Sequence, residues 1–458
     1  MSEQRDVAGN RLPAHQYEEN FTDIKPPLTA HQAVVESDRC YFCFDAPCTV
    51  ACPTHIDIPS FIYKIRSGNL TGSARNILAE NIFGASCARV CPVEDLCEGA
   101  CVRNTAEDKP VAIGLLQRHA TDALLTSGKP LFDRASASGK RVAVAGGGPA
   151  GLACAHRLAM LGHDVTVYEA RLKLGGLNEH GIARYKLTND IAQREIDWLL
   201  SIGGISVRLG QRVGVDVSLS DLRRNFDAVF LSVGLGDVNA LGLADENIPG
   251  VYDAVRYIET LRQSADLSTL HVGRRVVVIG GGMTAIDIAV QVRKLGADEV
   301  TLLYRRGPEH MGASDYEREL AQSHGVNVRF WSRPRRLLLS DGEASGVEVE
   351  RTALVGGKLV ASGEPQRLAC DMLFKAIGQT LVPDALDAAA RDILDTRAGK
   401  LAVDDNRRTS LAGVWAGGDC IALSKDLTVA AVQDGKLAAI DIDRVLRGAG
   451  DSSGVQHG

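Results

Sequence analysis

Eight of the eleven cysteines fall between Cys40 and Cys101, at intervals short enough for their thiols to share a metal group. Cys40, Cys43, Cys48 and Cys52 have two, four and three residues between them, with Pro53 directly after the last. Cys87, Cys91, Cys97 and Cys101 follow with three, five and three, and Pro92 comes after Cys91. Four thiolates suit a [4Fe–4S] cluster, and a Cys-Pro after a run of close cysteines often marks a ligand whose partners belong to another cluster. Structural zinc is the rival reading, yet it usually rests on two Cys-x-x-Cys knuckles, and here only Cys40 and Cys43 make one. An odd cysteine total with no export signal argues against a disulfide framework.

Two glycine clusters carry the second kind of chemistry. Gly146, Gly148 and Gly151 follow the apolar run Arg141-Val142-Ala143-Val144-Ala145 and open a helical pattern through Leu152, Leu158 and Leu161. Backbone N–H groups at such a turn face a pyrophosphate with no Cβ in the way. Glu169 ends the next strand, where an acid accepts hydrogen bonds from an adenosine ribose. The order recurs at Gly280, Gly282 and Ala285, behind the strand Arg275-Val276-Val277-Val278-Ile279. There the following strand delivers Arg305 and Arg306 instead of an acid, which favours a phosphorylated ribose and hence NADPH, with NADH possible. The plain alternatives are an empty structural turn and a solvated basic strand end.

These residues need two kinds of scaffold. From Thr29 to about Leu125 the regular apolar spacing is helical, as at Ile58, Phe61, Ile62 and Ile65, which predicts a small helical domain around the cysteines. Two strand–glycine–helix units, each with a further strand, predict two α/β nucleotide-binding domains. The chain beyond about Arg391 is too short for a third and is expected to complete the first. The fold class is therefore multidomain: an N-terminal α-helical iron–sulfur domain followed by two Rossmann-like α/β domains.

Composition excludes other classes. A length of 458 residues allows about three domains, and 45% hydrophobic with 24% charged residues is ordinary for a folding chain. Lys plus Arg is 51 against 57 Asp plus Glu, a formal charge of −6, so no basic excess marks nucleic acid as a partner. The start lacks a basic stretch followed by an apolar one, and no uninterrupted apolar run of about 18 residues occurs. No membrane partner and a cytoplasmic location are expected.

Together the motifs resemble a family over nearly the whole chain, from about Thr29 to Gly448: the flavin and iron–sulfur subunits of the glutamate synthase small subunit and dihydropyrimidine dehydrogenase type. The resemblance implies an FAD domain interrupted by an NAD(P)H domain. Ser232-Val233-Gly234 and Ala376-Ile377-Gly378 resemble the two chain crossings. The implied layout is an arm over 1–30, a helical [4Fe–4S] domain over 31–138, FAD segments over 139–240 and 381–458, and the NAD(P)H domain over 241–380. Gly175-Gly176, the stretch from Gly413 through Gly418 to Asp419, and the segment from Thr428 to Gly435 resemble further flavin motifs. Cys52-Pro53-Thr54-His55-Ile56-Asp57-Ile58, Cys91-Pro92-Val93-Glu94-Asp95-Leu96-Cys97 and Ile113-Gly114-Leu115-Leu116-Gln117-Arg118 resemble the dihydropyrimidine dehydrogenase branch, which uses a glutamine as an iron ligand at the place of Gln117.

By that pattern Cys40, Cys43, Cys48 and Cys101 hold one cluster, Cys52, Cys91, Cys97 and Gln117 the other, and Cys87 is left over. Spacing alone admits Cys87 as readily as Gln117. Met283 stands where the family commonly has Asp, and Gly312 where the NADPH-using animal enzyme has a further Arg, so the NADPH preference rests on Arg305 and Arg306. The implied role is electron input: NAD(P)H oxidised at FAD, electrons passed through two [4Fe–4S] clusters, and an FMN-containing partner reducing uracil or thymine. The alternatives are a glutamate synthase small subunit, a related transhydrogenase subunit, and a zinc-stabilised scaffold without activity.

Overall fold

The computed structural model describes residues 12–244, 246–382 and 394–448. The rest of the expected arm (1–11) and of the second FAD segment (383–393 and 449–458) lies outside the described residues. Contacts divide the chain into two compact units, one of Met1–Ile24, His180–Thr188 and Asp237–Gln379, the other of Lys25–Glu179, Asn189–Gly236 and Thr380–Gly458.

In the larger unit the cysteine-bearing stretch is helical. The helix Ile58–Arg66 starts at Asp57, whose side chain accepts from the Ser60 N–H, and it buries Ile58, Phe61, Ile62 and Ile65. That i, i+3, i+4, i+7 stripe packs against Ala74, Ile77 and Leu78 of the helix Leu70–Glu80, each large side chain contributing about 2 kcal/mol by its burial. Helices α1 (Gly84–Val90) and α2 (Ile113–Ser127) complete the bundle. α2 stops at Gly128, which holds the left-handed φ of 63° that closes many helices.

The same unit contains a five-stranded parallel sheet of β1 (Arg141–Ala145), β2 (Asp164–Glu169), β3 (Ile205–Leu209), β4 (Ala228–Leu231) and β10 (Val414–Ala416), in the order β10-β4-β1-β2-β3. Val144 stands opposite Val167 and Phe230, so β1 is flanked on both sides and its apolar run is fully buried. The strand order reverses at β1, the kind of crevice where open α/β sheets bind ligands. Helices α3 (Pro149–Met160) and α6 (Thr428–Leu446) pack on one another, α3 starting with Pro149 at its first turn. A Cβ on Gly435 of α6 would lie 2.1 Å from the Ala150 carbonyl oxygen, so only glycine permits this approach. Helix α4 (Ile191–Leu200) packs against α1.

The smaller unit repeats the plan with β5 (Val251–Asp253), β6 (Arg275–Gly280), β7 (Glu299–Leu303), β8 (Val326–Arg329) and β9 (Met372–Ala376), ordered β5-β9-β6-β7-β8 and all parallel. Helix α5 (Met283–Lys294) follows β6. Between β8 and β9 the chain makes an antiparallel excursion, Ser332–Ser340 against Glu343–Val355, extended by Lys358–Ala361 and Gln366–Ala369. His180–Thr188 belongs to this unit: Lys186 sits at 2.7 Å from both Asp287 and Glu317, and these two carboxylates outweigh burial to push its pKa up.

Candidate functional site

The structure gathers the cysteines into two sets. Cys40, Cys43, Cys48 and Cys101 line one cavity of about 370 Å³, counting its open mouth, together with Tyr41, Ile58, Ile62 and Arg103. Burial, then the neighbouring Cys101 and Cys40, pushes the Cys48 thiol up to about 11, and burial raises Cys40 as well. Among the described residues no three His, Cys, Asp or Glu side chains converge as ligands of one ion would. Four thiols round one cavity wall fit a shared metal group.

The second set is Cys52, Cys87, Cys91 and Cys97. A thiol–thiol hydrogen bond with Cys87, then burial and the nearby Cys87, Cys97 and Cys52, raise the Cys91 pKa, while burial, Glu98 and Cys52 raise that of Cys97. Cys87 thus lies beside Cys91, one helical turn earlier on α1. Gln117 on α2 is buried, and its Nε2 donates to the Gly84 carbonyl at the start of α1 at 2.7 Å. That bond fixes which end of the amide is the donor and turns Oε1 the other way.

The start of α1 is itself held by a residue that spacing had not marked. Glu195 on α4 accepts from the backbone N–H of Ala85 at 2.7 Å and of Ser86 at 3.0 Å, and also bonds the Ser86 hydroxyl. Burial pushes its carboxyl up to about 7 against these donors.

In the crevice at β1, Gly146 has φ of 105° and Gly176 has φ of 51°, and a Cβ on Gly176 would lie 2.8 Å from the Gly148 Cα. Two stretches of bare backbone therefore meet, leaving a cradle that any side chain would fill. A Cβ on Gly151 would lie 2.0 Å from the Gly146 carbonyl oxygen, which sets how closely α3 joins the turn. Glu169 is buried and accepts from the N–H of Gly147 and of Arg171, each at 2.8 Å. Gly418, with φ of 77°, donates its N–H to Asp434 at 2.9 Å, and burial raises the neighbouring Asp419 to about 6. Thr428 donates to Asn178 Oδ1 at 2.8 Å. Asn178 and Asp434 are the partners that sequence reasoning missed; Asp434 lies inside the segment from Thr428 to Gly435 but carries no signal of its own.

In the other unit Gly280 has φ of 153°, where a Cβ would meet the Ala376 carbonyl oxygen at 2.1 Å. Gly282 faces open space and caps α5, and Ala285 is buried one turn in. Arg305 and Arg306, just beyond β7, are exposed. Among the described residues neither guanidinium has a bonding partner, although both backbones are fixed, by Thr352 on the Arg305 carbonyl at 2.7 Å and by Trp331 on that of Arg306 at 3.0 Å. Gly312 lies against the turn, its would-be Cβ 3.8 Å from the Gly281 carbonyl oxygen, so a side chain here would overhang the glycines.

Residues 140–435 match the pyridine nucleotide-disulphide oxidoreductase family, and residues 17–129 match dihydropyrimidine dehydrogenase domain II, 4Fe–4S cluster. The chain is 33% identical over 441 residues to the glutamate synthase [NADPH] small chain of Escherichia coli, covering 92% of each. It is 33% identical over 436 residues to the NAD-dependent dihydropyrimidine dehydrogenase subunit PreT of Salmonella typhimurium, covering 94% of this chain and 99% of that one. The solved structure of Mycobacterium tuberculosis FprA in complex with NADPH shares its fold at a TM-score of 0.55 and 19% identity, over 68% of this chain and 85% of that one. The chain belongs to the pyridine nucleotide-disulphide oxidoreductase family, with an iron–sulfur domain ahead of the nucleotide-binding fold. It is an NAD(P)-dependent flavin and iron–sulfur oxidoreductase, using FAD, a nicotinamide nucleotide and [4Fe–4S] chemistry. Among the described residues no helix is long and apolar enough to cross a membrane.

Proposed function

We propose that the chain is the electron-input subunit of a dihydropyrimidine dehydrogenase, acting in a hetero-oligomer with an FMN-containing subunit that reduces uracil or thymine to the 5,6-dihydro product. FAD bound there would supply the conversion between two-electron hydride transfer from the nicotinamide nucleotide and one-electron transfer toward two [4Fe–4S] clusters. Gly146, Gly148, Gly151 and Gly176 would cradle the FAD pyrophosphate, Glu169 its ribose, and Gly418, Asp419 and Thr428 the remainder. Gly280, Gly282 and Ala285 would seat the nicotinamide nucleotide, with Arg305 and Arg306 on a 2′-phosphate. Hydride transfer needs positioning and no protein acid or base, so no catalytic side chain is assigned.

The observation that carries this reading is the Gln117 amide, tied by its nitrogen to the helix that leads into Cys91, with its oxygen left to serve as a ligand. Cys40, Cys43, Cys48 and Cys101 would hold one cluster, and Cys52, Cys91, Cys97 and Gln117 the other. The equal identity to a glutamate synthase small chain keeps that enzyme as the second reading. The test is anaerobic turnover by the full chain, alone and with an FMN-containing partner subunit, with NADPH or NADH as donor. Uracil or thymine reduction only in the presence of the partner is expected. Glutamate formation from glutamine and 2-oxoglutarate, with no pyrimidine reduction in any pairing, overturns the pyrimidine assignment.

A further inference from the structure

Lys436 lies on α6, two turns beyond Thr428, yet its ammonium group reaches the cysteine-bearing helical region. Its Nζ donates to the Thr54 carbonyl at 3.0 Å and to Glu80 Oε2 at 2.8 Å. Thr54 is fully buried, and its hydroxyl oxygen lies 3.3 Å from the Cys52 sulfur. With Cys52 as a thiolate the proton in that contact can come only from Thr54. A lysine, a peptide carbonyl, a hydroxyl and a ligand sulfur therefore stand in series. The series starts on the helix whose first turn carries the proposed flavin motif and ends at the second cysteine set.

We propose that Lys436 and Thr54 are positioning residues that raise the reduction potential of the cluster bound through Cys52. The proposal rests on the reading of Cys52 as a ligand. A hydrogen bond to a ligand sulfur withdraws charge from it, and a buried positive charge nearby favours the state carrying one more electron; both make the cluster easier to reduce. Lys436 is nearly buried, with 11% of its side chain exposed, so solvent screens it weakly, while its counter-charge Glu80 is 43% exposed and offsets it only in part. Because α6 holds both the flavin motif and the lysine, the acceptor's potential is set by the same rigid element that seats the donor.

The test is an EPR-monitored redox titration of the anaerobically reconstituted full chain, with iron and sulfide analysis as a check on cluster content. Lys436→Met and Thr54→Val are each expected to lower the midpoint of one cluster and leave the other unmoved. The expected size is about tenfold in the oxidised-to-reduced ratio at fixed potential, or about 59 mV for a one-electron couple. Lys436→Arg and Thr54→Ser keep the native midpoint, and Glu80→Gln, which leaves the lysine less neutralised, shifts it the opposite way. Glu80 is partly solvent-exposed, so this variant keeps the test open should the buried ones fail to fold. Unchanged midpoints in cluster-loaded Lys436→Met, Thr54→Val and Glu80→Gln, with Cys52→Ser altering one cluster's signal, overturn the proposal alone. Both signals surviving intact in Cys52→Ser overturns the ligand reading beneath it.

Discussion

The backbone N–H of Gly147 donates to Oε2 of Glu169 at 2.8 Å, tying the acid at the end of β2 to the middle of the glycine turn. The carboxylate is thereby held before any nucleotide arrives, with acceptor capacity left on both oxygens beyond the bonds to Gly147 and Arg171. Glu169→Gln keeps the size but loses the charge and an acceptor oxygen. The expected outcome is FAD affinity weakened about tenfold or more, the worth of a charge-assisted hydrogen bond, read as flavin retained per chain after gel filtration.

Among the described residues the exposed guanidiniums of Arg305 and Arg306 take part in no ion pair that a phosphate would first have to break. Replacing both with alanine is expected to raise KM for NADPH about 10- to 100-fold and to leave KM for NADH within a few fold. Steady-state reduction of an artificial acceptor by each nucleotide measures the ratio. An unchanged ratio would assign the pair to a solvated strand end.

Cys87 and Gln117 are the two candidates for the fourth place beside Cys52, Cys91 and Cys97. With Gln117 as ligand, Cys87→Ala retains full iron and sulfide content, whereas Gln117→Ala changes the EPR signal of one cluster or removes it. The reverse pattern would install Cys87 as the ligand and remove one of the marks that favour a pyrimidine-reducing partner.

Glu195 predicts a pH dependence of stability. Burial raises its carboxyl from the ordinary 4.5 to about 7 in the folded chain, so between those values the folded state binds more protons than the unfolded one. Its contribution is fully present below about pH 4.5 and is lost as pH rises through about 7, to an extent on the order of 3 kcal/mol. Thermal unfolding midpoints of the wild type are expected to fall between pH 5 and 8 by more than those of Glu195→Gln.

Local grammar made the nucleotide-binding elements legible. Val142 to Ala145 and Val276 to Ile279 are apolar runs ended by glycine, and both became central strands because a strand covered on two faces needs no alternation. The antiparallel excursion left no such trace. Val347 and Val349 are buried, but charged residues interrupt the run, with Glu348 between them pairing with Arg336 at 3.0 Å, so the apolar alternation is too short to mark a strand. Long-range partners were equally silent: Glu195 meets Ser86 across 109 residues, and Lys436 meets Thr54 across 382. A side chain's type says that it can bond, but only the fold says to what. Cysteine spacing showed two blocks along the sequence, Cys40 to Cys52 and Cys87 to Cys101; it could not show that Cys101 joins Cys40, Cys43 and Cys48 while Cys52 joins Cys87, Cys91 and Cys97.

The strand β10 pairs with β4, and α6 packs on α3, although long stretches of chain lie between these partners. During synthesis, β1 leaves the ribosome roughly 14–55 s before β10 at the usual 5–20 residues per second. Throughout that interval the sheet has one edge unpaired and the glycine turn lacks its neighbours Gly418 and Asp434. On the proposed assignment of Gly418, Asp419 and Thr428, the flavin site is complete only once β10 and the start of α6 have been made.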